Sequence, residues 1–236
     1  MSPALVISRR EIRTYFNSPV AYIVVTVFTM ITGYLFFTQL FIEKQAELRG
    51  LFNIMPLLFM FLAPAVTMRL LADEKSTGTL ELLITMPVRD WEVVVGKFLA
   101  ALALLCVTLG LTVVFAITVK TLGPLDRGPA IGGYLGMVLM GGAYLAIGTM
   151  TSALTRNSIV AFIAAFAISF GLYLIGRLTQ FAPESLRGLF AFLSIDSHFE
   201  NISRGVIDSR DVIYYLSVIG VSLLVATLSL ESRRWR

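Results

Sequence analysis

Six long stretches of this 236-residue chain contain no Asp, Glu, Lys or Arg. They are residues 20–42, 51–68, 98–119, 131–155, 157–176 and 212–230. An uncharged apolar stretch of about 18 residues or more is typical of a membrane-spanning helix, because about 20 helical residues cross the hydrocarbon core. The pattern predicts an all-α polytopic membrane protein. It excludes a soluble enzyme, a disulfide-framed secreted domain and a free nucleic-acid-binding protein.

The six spans are predicted to form one membrane domain over residues 1–236. We expect them at about 20–42, 51–70, 93–120, 131–155, 157–177 and 212–230. An even number of spans places both termini on one side of the membrane. That side carries eleven Lys and Arg residues against eight on the other, so the positive-inside bias predicts an inner-membrane protein with cytoplasmic termini. The net charge of +4 is then explained by orientation and by contact with anionic membrane lipid rather than nucleic acid.

A surface helix is predicted over residues 3–18, before the first span. At helical spacing, Leu5, Ser8, Ile12, Tyr15 and Phe16 share one face, and three arginines flank it. This pattern favours a helix that lies in the membrane interface over an ordinary basic tail.

Several chemical functions are not expected of this chain. The phosphate-binding motif GxxxxGK[ST] is absent, so ATP hydrolysis and its cofactors are not expected here. The uncharged stretches also lack histidine, which argues against a proton-coupled pump, because such pumps carry ionisable groups within the membrane. If this protein moves a substrate uphill, the energy for that transport would then come from another subunit. The single cysteine, Cys106, is predicted to be a small buried hydrophobic residue.

The fourth span and the segment that follows the fifth carry two further patterns. Small residues spaced along 131–155 predict close helix packing, either within the chain or across a dimer. The external segment 178–211 is too polar to cross the membrane, and a short amphipathic or re-entrant helix is expected over 185–193. Salt bridges among four charged residues are expected to brace this segment; these are Arg204, Asp208, Arg210 and Asp211. His198, with Asp196 and Glu200 near it in sequence, fits hydrogen bonding better than a metal site.

The segment 73–87, between the second and third spans, is the most informative connection. A charged cluster, Asp73 to Lys75, precedes a Ser-Thr-Gly-Thr turn, and a short helix is predicted over about 79–86 before Pro87. Such a helix could dock in a groove of a soluble partner. From the pattern alone, a docking helix and a solvated connecting loop remain open alternatives.

The residues from Glu74 to Pro87, with Gly96 and Lys97 downstream, resemble the cytoplasmic signature of ABC-2 type permeases. These permeases are the membrane subunits of one large class of ABC transporters, mostly exporters. The run from Leu193 to Leu216 and the chain end from Glu231 to Trp235 resemble the gliding-motility-associated branch of that family. This branch is close to the nitrous-oxide-reductase maturation permeases.

The resemblance implies the permease subunit of an ATP-driven exporter, with ATP and Mg²⁺ held on two separate ATPase subunits. It implies a coupling helix between the second and third spans and short outer helices between the fifth and sixth. A second permease chain, identical or paralogous, and an accessory subunit with an extracytoplasmic part would complete the complex. The alternative function is a non-transporting subunit, a membrane anchor or a relay of ATPase motion to an extracytoplasmic partner.

Two sets of site residues follow from the resemblance. The ATPase contact is expected at six residues of the coupling segment: Glu74, Gly78, Thr79, Glu81, Leu82 and Pro87. The interface between two permease chains is expected to use the first and fifth spans. In the fifth span, Ala161, Ala165 and Gly171 are expected to permit close approach.

Overall fold

The computed structural model describes residues 2–43, 47–79, 88–179, 181 and 183–232. Helices account for the regular structure of these residues, and they contain no strand. The helices are α1 (Pro3–Asn17), α2 (Pro19–Glu43), α3 (Arg49–Thr67), α4 (Ala72–Thr77), α5 (Asp90–Leu122), α6 (Arg127–Leu154), α7 (Ser158–Leu178), α8 (Glu184–Leu193), α9 (Ile195–Ser203) and α10 (Ser209–Glu231). The fold class predicted from the sequence, an all-α polytopic membrane protein, is confirmed.

Six helical segments in the described part of the chain are long and apolar enough to cross a membrane. They are α2, the α3–α4 segment, α5, α6, α7 and α10. The two ends of this bundle differ. One end, which we call the α4 end, carries α1, α4 and the C-terminal end of α10. The opposite end, the α9 end, carries α8 and α9.

The helix at the centre of the bundle is α6. Of an 18-residue apolar stretch in each helix, 72% is buried in α6, compared with 17% in both α7 and α10. A close contact shows why small residues are needed along it. A Cβ atom on Gly132 would overlap the carbonyl oxygen of Ile202 in α9. The close packing predicted for this span therefore operates within the chain.

The structure places α1 across the first turns of α5, with Ala4 and Ser8 buried. Leu5, which the sequence places on the apolar face of an interfacial helix, is 54% exposed and does not pack on the bundle. The position of α1 in the membrane interface stays a prediction.

At the α9 end, α8 matches the amphipathic helix expected over 185–193. The next helix, α9, buries Ile195, Phe199 and Ile202, which are spaced to share one helical face. The predicted salt bridges among the four charged residues of this segment are wrong. Two of the residues pair elsewhere, Arg204 with Glu200 and Asp211 with His198, and Asp208 caps α10.

Cys106 was predicted to be buried, but it is exposed on α5. A small thiol is tolerated on either side of a membrane helix, because lipid and the protein interior are both apolar.

Candidate functional site

A buried ammonium group marks the α4 end of the bundle. Lys97, on the second turn of α5, has 2% of its side chain exposed. Its Nζ atom lies 2.9 Å from Glu11 Oε1 of α1 and 2.8 Å from Glu74 Oε1 of α4. Lysine is almost never fully buried unless it is paired, because desolvation of the charge is costly. The two ion pairs therefore hold α1, α4 and α5 together at one point.

Gly96 explains how α1 comes close enough for this contact. A Cβ atom at position 96 would lie 2.8 Å from the carbonyl oxygen of Ala4 and 2.9 Å from Cβ of Ile7. Both distances are shorter than normal carbon contacts. A side chain at this position would push α1 outward and move Glu11 away from Lys97. The Gly-Lys pair at residues 96–97 thus combines a close approach with a buried charge.

The start of α4 is held by a side chain of α6. The backbone N–H groups of Leu71 and Ala72 both donate to Ser152 Oγ, at 3.1 Å each. Ser152 Oγ in turn donates to the carbonyl oxygen of Met68, at 3.0 Å. The first N–H groups of a helix have no partner within it and need one from outside. Here the partner comes from a different membrane helix.

A second lysine fixes α4 to α6 and α10. Lys75 has 6% of its surface exposed, and its ammonium donates to the carbonyl oxygen of Ala153 and to Ser229 Oγ. The same carbonyl accepts a hydrogen bond from Ser229 Oγ at 2.9 Å. Neighbouring side chains of α4, Glu74 and Lys75, therefore point to different membrane helices. A movement of α4 would act on four other helices at once.

The triad of Glu11, Glu74 and Lys97 borders a cavity of about 480 Å³ between α1, α2 and α3. Glu74 Oε2 is buried there without a hydrogen-bond partner among the described residues. Tyr15 lines the same cavity, and its hydroxyl donates to the carbonyl oxygen of Val66 at 3.4 Å. Burial raises the pKa of Tyr15, and the charge of Glu11 raises it further, so the phenol stays neutral. The triad itself brings two carboxylates to one ammonium, and Arg69 also lines the cavity.

The residues predicted for the ATPase contact divide into two groups. Glu74 turns its carboxylate toward Lys97, and 24% of its side chain is exposed. Gly78 and Thr79 follow α4 and are exposed, and Gly78 adopts φ = 75°, a left-handed conformation that ends the helix. Glu81, Leu82 and Pro87 lie outside the described residues, as does most of the predicted helix over 79–86.

The residues predicted for the interface between chains all lie on α7. Ala161 is completely buried and Ala165 is 1% exposed, both against helices of their own chain. These two side chains offer no exposed surface of their own, and their place in an interface between chains stays a prediction. Gly171 has open space at its Cβ position and stays a prediction.

The triad itself was missed by reasoning from the sequence. Glu11 and Lys97 are 86 positions apart, and no local pattern connects them. The available signal was the lysine directly before an uncharged stretch, together with one acidic residue among the arginines of α1. These residues were interpreted as parts of a motif and of a basic helix, rather than as partners.

A comparison with protein families gives a match over residues 5–230 to the family described as "ABC-2 family transporter protein". The matched region extends from the first turn of α1 to the last turn of α10, so it includes the triad and both lysine contacts. No curated protein matches the chain.

Proposed function

The chain belongs to the ABC-2 transporter family, and on that premise we propose that α4 receives the motion of ABC ATPase subunits and passes it into the membrane. Family membership makes this multi-pass chain the membrane permease of a transporter. ATP hydrolysis in such a transporter belongs to separate ABC ATPase subunits.

The observation that carries the proposal is the set of polar contacts around α4. Glu74 is tied to α5 and α1 through Lys97, and Lys75 is tied to α6 and α10. Breaking a buried ion pair by removing one partner costs about 3–5 kcal/mol. A displaced α4 would therefore move its partner helices before it slid past them. The cavity beside the triad leaves room for such a shift.

The contact with the ATPase would lie just beyond α4. Gly78 ends that helix and directs the chain away from it, and Thr79 is exposed. We place the docking surface on residues 78–87, with Glu81, Leu82 and Pro87 as the contact residues expected from the family signature. Glu74 acts behind this surface as the link to the bundle.

The orientation follows from the same assignment. ABC ATPases act where ATP is present, so the α4 end would face the cytoplasm of an inner-membrane protein, with both termini on that side. The distribution of Lys and Arg in the sequence supports this orientation.

We further propose that two permease chains, identical or paralogous, assemble with two ATPase subunits. The interface would use outward residues of α2 and α7, the first and fifth spans, as the family resemblance implies. Both helices expose apolar surface that a second chain could cover. Tyr34 is 71% exposed on α2, and Ile159 and Ile163 are 66% and 59% exposed on α7. An exported substrate would pass between the two bundles. The exporter direction rests on the resemblance of residues 74–87 to the ABC-2 signature, and an accessory subunit rests on the resemblance of residues 193–216 to the gliding-motility-associated branch.

Gly78 offers a sharp test of the coupling proposal. Gly78→Pro cannot adopt the positive φ of the native turn, whereas Gly78→Asn tolerates it. Among the described residues, no atom outside residues 77–79 lies within 4 Å of the Cβ position, so the two variants differ mainly in the backbone conformation that they allow. With the ATPase co-expressed, we expect Gly78→Pro and Glu81→Lys to lose ATPase co-purification or coupled activity. Gly78→Asn should retain both.

Full assembly and activity of both Gly78→Pro and Glu81→Lys would contradict the docking assignment. Relay of ATPase motion to an extracytoplasmic partner, the alternative function, would use the same contact. Movement of a substrate into sealed vesicles by the reconstituted complex would distinguish transport from relay.

A further inference from the structure

A groove of about 890 Å³ opens between α7 and α10, over the surface of α6. It extends along α10 from the helix start near Asp208 to Ser222, which is about 20 Å at 1.5 Å per residue. Its walls within the membrane are mainly apolar, with Leu172, Ile213 and Val218 beside two serines of α10, Ser217 and Ser222. This length exceeds the hydrocarbon thickness of one leaflet, about 15 Å. The groove therefore has the shape and lining of a site for an acyl chain.

The mouth of the groove, at the α9 end, is polar. Asp211 is 3% exposed and lines the groove. Its Oδ1 atom lies 2.6 Å from His198 Nδ1. Its second oxygen, Oδ2, is buried and has no hydrogen-bond partner among the described residues. A buried carboxylate oxygen without a donor is costly, so this atom points to a ligand that carries a hydrogen-bond donor.

Charged residues of both signs line the mouth of the groove. Arg210 also lines the mouth, and its guanidinium makes no ion pair within the part of the chain that the structure describes. Asp208 lines the mouth too, and one of its oxygens accepts from the backbone N–H of Arg210. The mouth thus presents the guanidinium of Arg210 beside two carboxylates. This combination is complementary to a zwitterionic headgroup with a phosphate and an ammonium.

We propose that the groove binds a phospholipid with a primary ammonium headgroup, of the phosphatidylethanolamine class. The ammonium lies at the carboxylates of Asp208 and Asp211, where a rotation of the Asp211 side chain brings the buried Oδ2 atom to it, and the phosphate pairs with Arg210. One acyl chain lies between α7 and α10. Phosphatidylcholine fits less well, because its quaternary ammonium has no hydrogen to donate. This site is at the other end of the bundle from α4, and it does not depend on the proposed ATPase contact.

The test measures lipid binding to the purified full chain by native mass spectrometry. The probes are phosphatidylethanolamine and phosphatidylcholine with identical acyl chains. We expect the wild-type protein to prefer phosphatidylethanolamine about tenfold, the scale of one charge-assisted hydrogen bond. Asp211→Asn should abolish this preference while leaving the groove open. Equal affinity of the wild-type protein for the two lipids would overturn the proposal.

A second pair of variants tests the place of binding. Val218→Trp fills the groove and should reduce binding of both lipids severalfold. Leu224→Trp is the matched control, because Leu224 is on the same helix, 58% exposed and outside the groove. Equal lipid binding by the two tryptophan variants would contradict the assignment. Loss of self-association in Val218→Trp with unchanged lipid binding would instead identify the groove as a protein interface.

Discussion

Replacing Lys97 by Met should destabilise the protein more than replacing either of its carboxylate partners. Without the ammonium, Glu11 and Glu74 keep two negative charges in a site where their side chains are only 21% and 24% exposed. Breaking a buried pair in this way costs about 3–5 kcal/mol. For a chain of this size the corresponding fall in melting temperature is roughly 6–20 °C.

Glu74→Gln should cost less, because Lys97 retains Glu11 as a partner at 2.9 Å. The loss is then that of one hydrogen bond to a charged group, about 1.5–3 kcal/mol. The double variant Lys97→Met with Glu74→Gln should recover part of the stability lost in Lys97→Met, because it removes one of the two unpaired carboxylates. A coupling energy between the two positions of about 0.5–3 kcal/mol is typical of residues in one ion-pair network.

Scanning fluorimetry of the detergent-purified chain measures these differences directly. Lys120→Met is the matched control, since Lys120 lies at the far end of the same helix and is exposed. It should change the melting temperature little. A Lys97→Met variant as stable as wild type, or less affected than Glu74→Gln, would refute the assignment of Lys97 as the shared cation of the triad.

Two close packing contacts and one hydrogen-bonded contact give further predictions. Gly96→Leu should displace α1 and lower stability by about 1–3 kcal/mol, with faster proteolysis of the N-terminal helix as the readout. Ser152→Ala removes the cap at the start of α4 and should cost about 1–2 kcal/mol, measured as faster hydrogen exchange of the amides there. Gly132→Ala should lower the melting temperature because its Cβ meets Ile202, whereas Gly110→Ala, which faces open space, should not.

The sequence alone determined the membrane class, the number of spans and their approximate limits. The physical reason is that a helix in lipid must satisfy its own backbone hydrogen bonds and keep charges out of the hydrocarbon region. Both requirements can be recognised in consecutive residues of the sequence, here as the charge-free stretches. The amphipathic pattern of α8 was readable in the same way, because that helix lies between two environments of different polarity.

Which face of each span points inward was decided by the tertiary structure. Lipid and the protein interior are both apolar, so apolarity does not separate the buried Ala161 from the exposed Cys106. The partners of Lys97 could not be read from the sequence, because Glu11 and Glu74 belong to separate helices, and Glu11 reaches Lys97 where α1 packs closely against Gly96. A buried charge depends on what surrounds it in space, and that is fixed when the helices assemble.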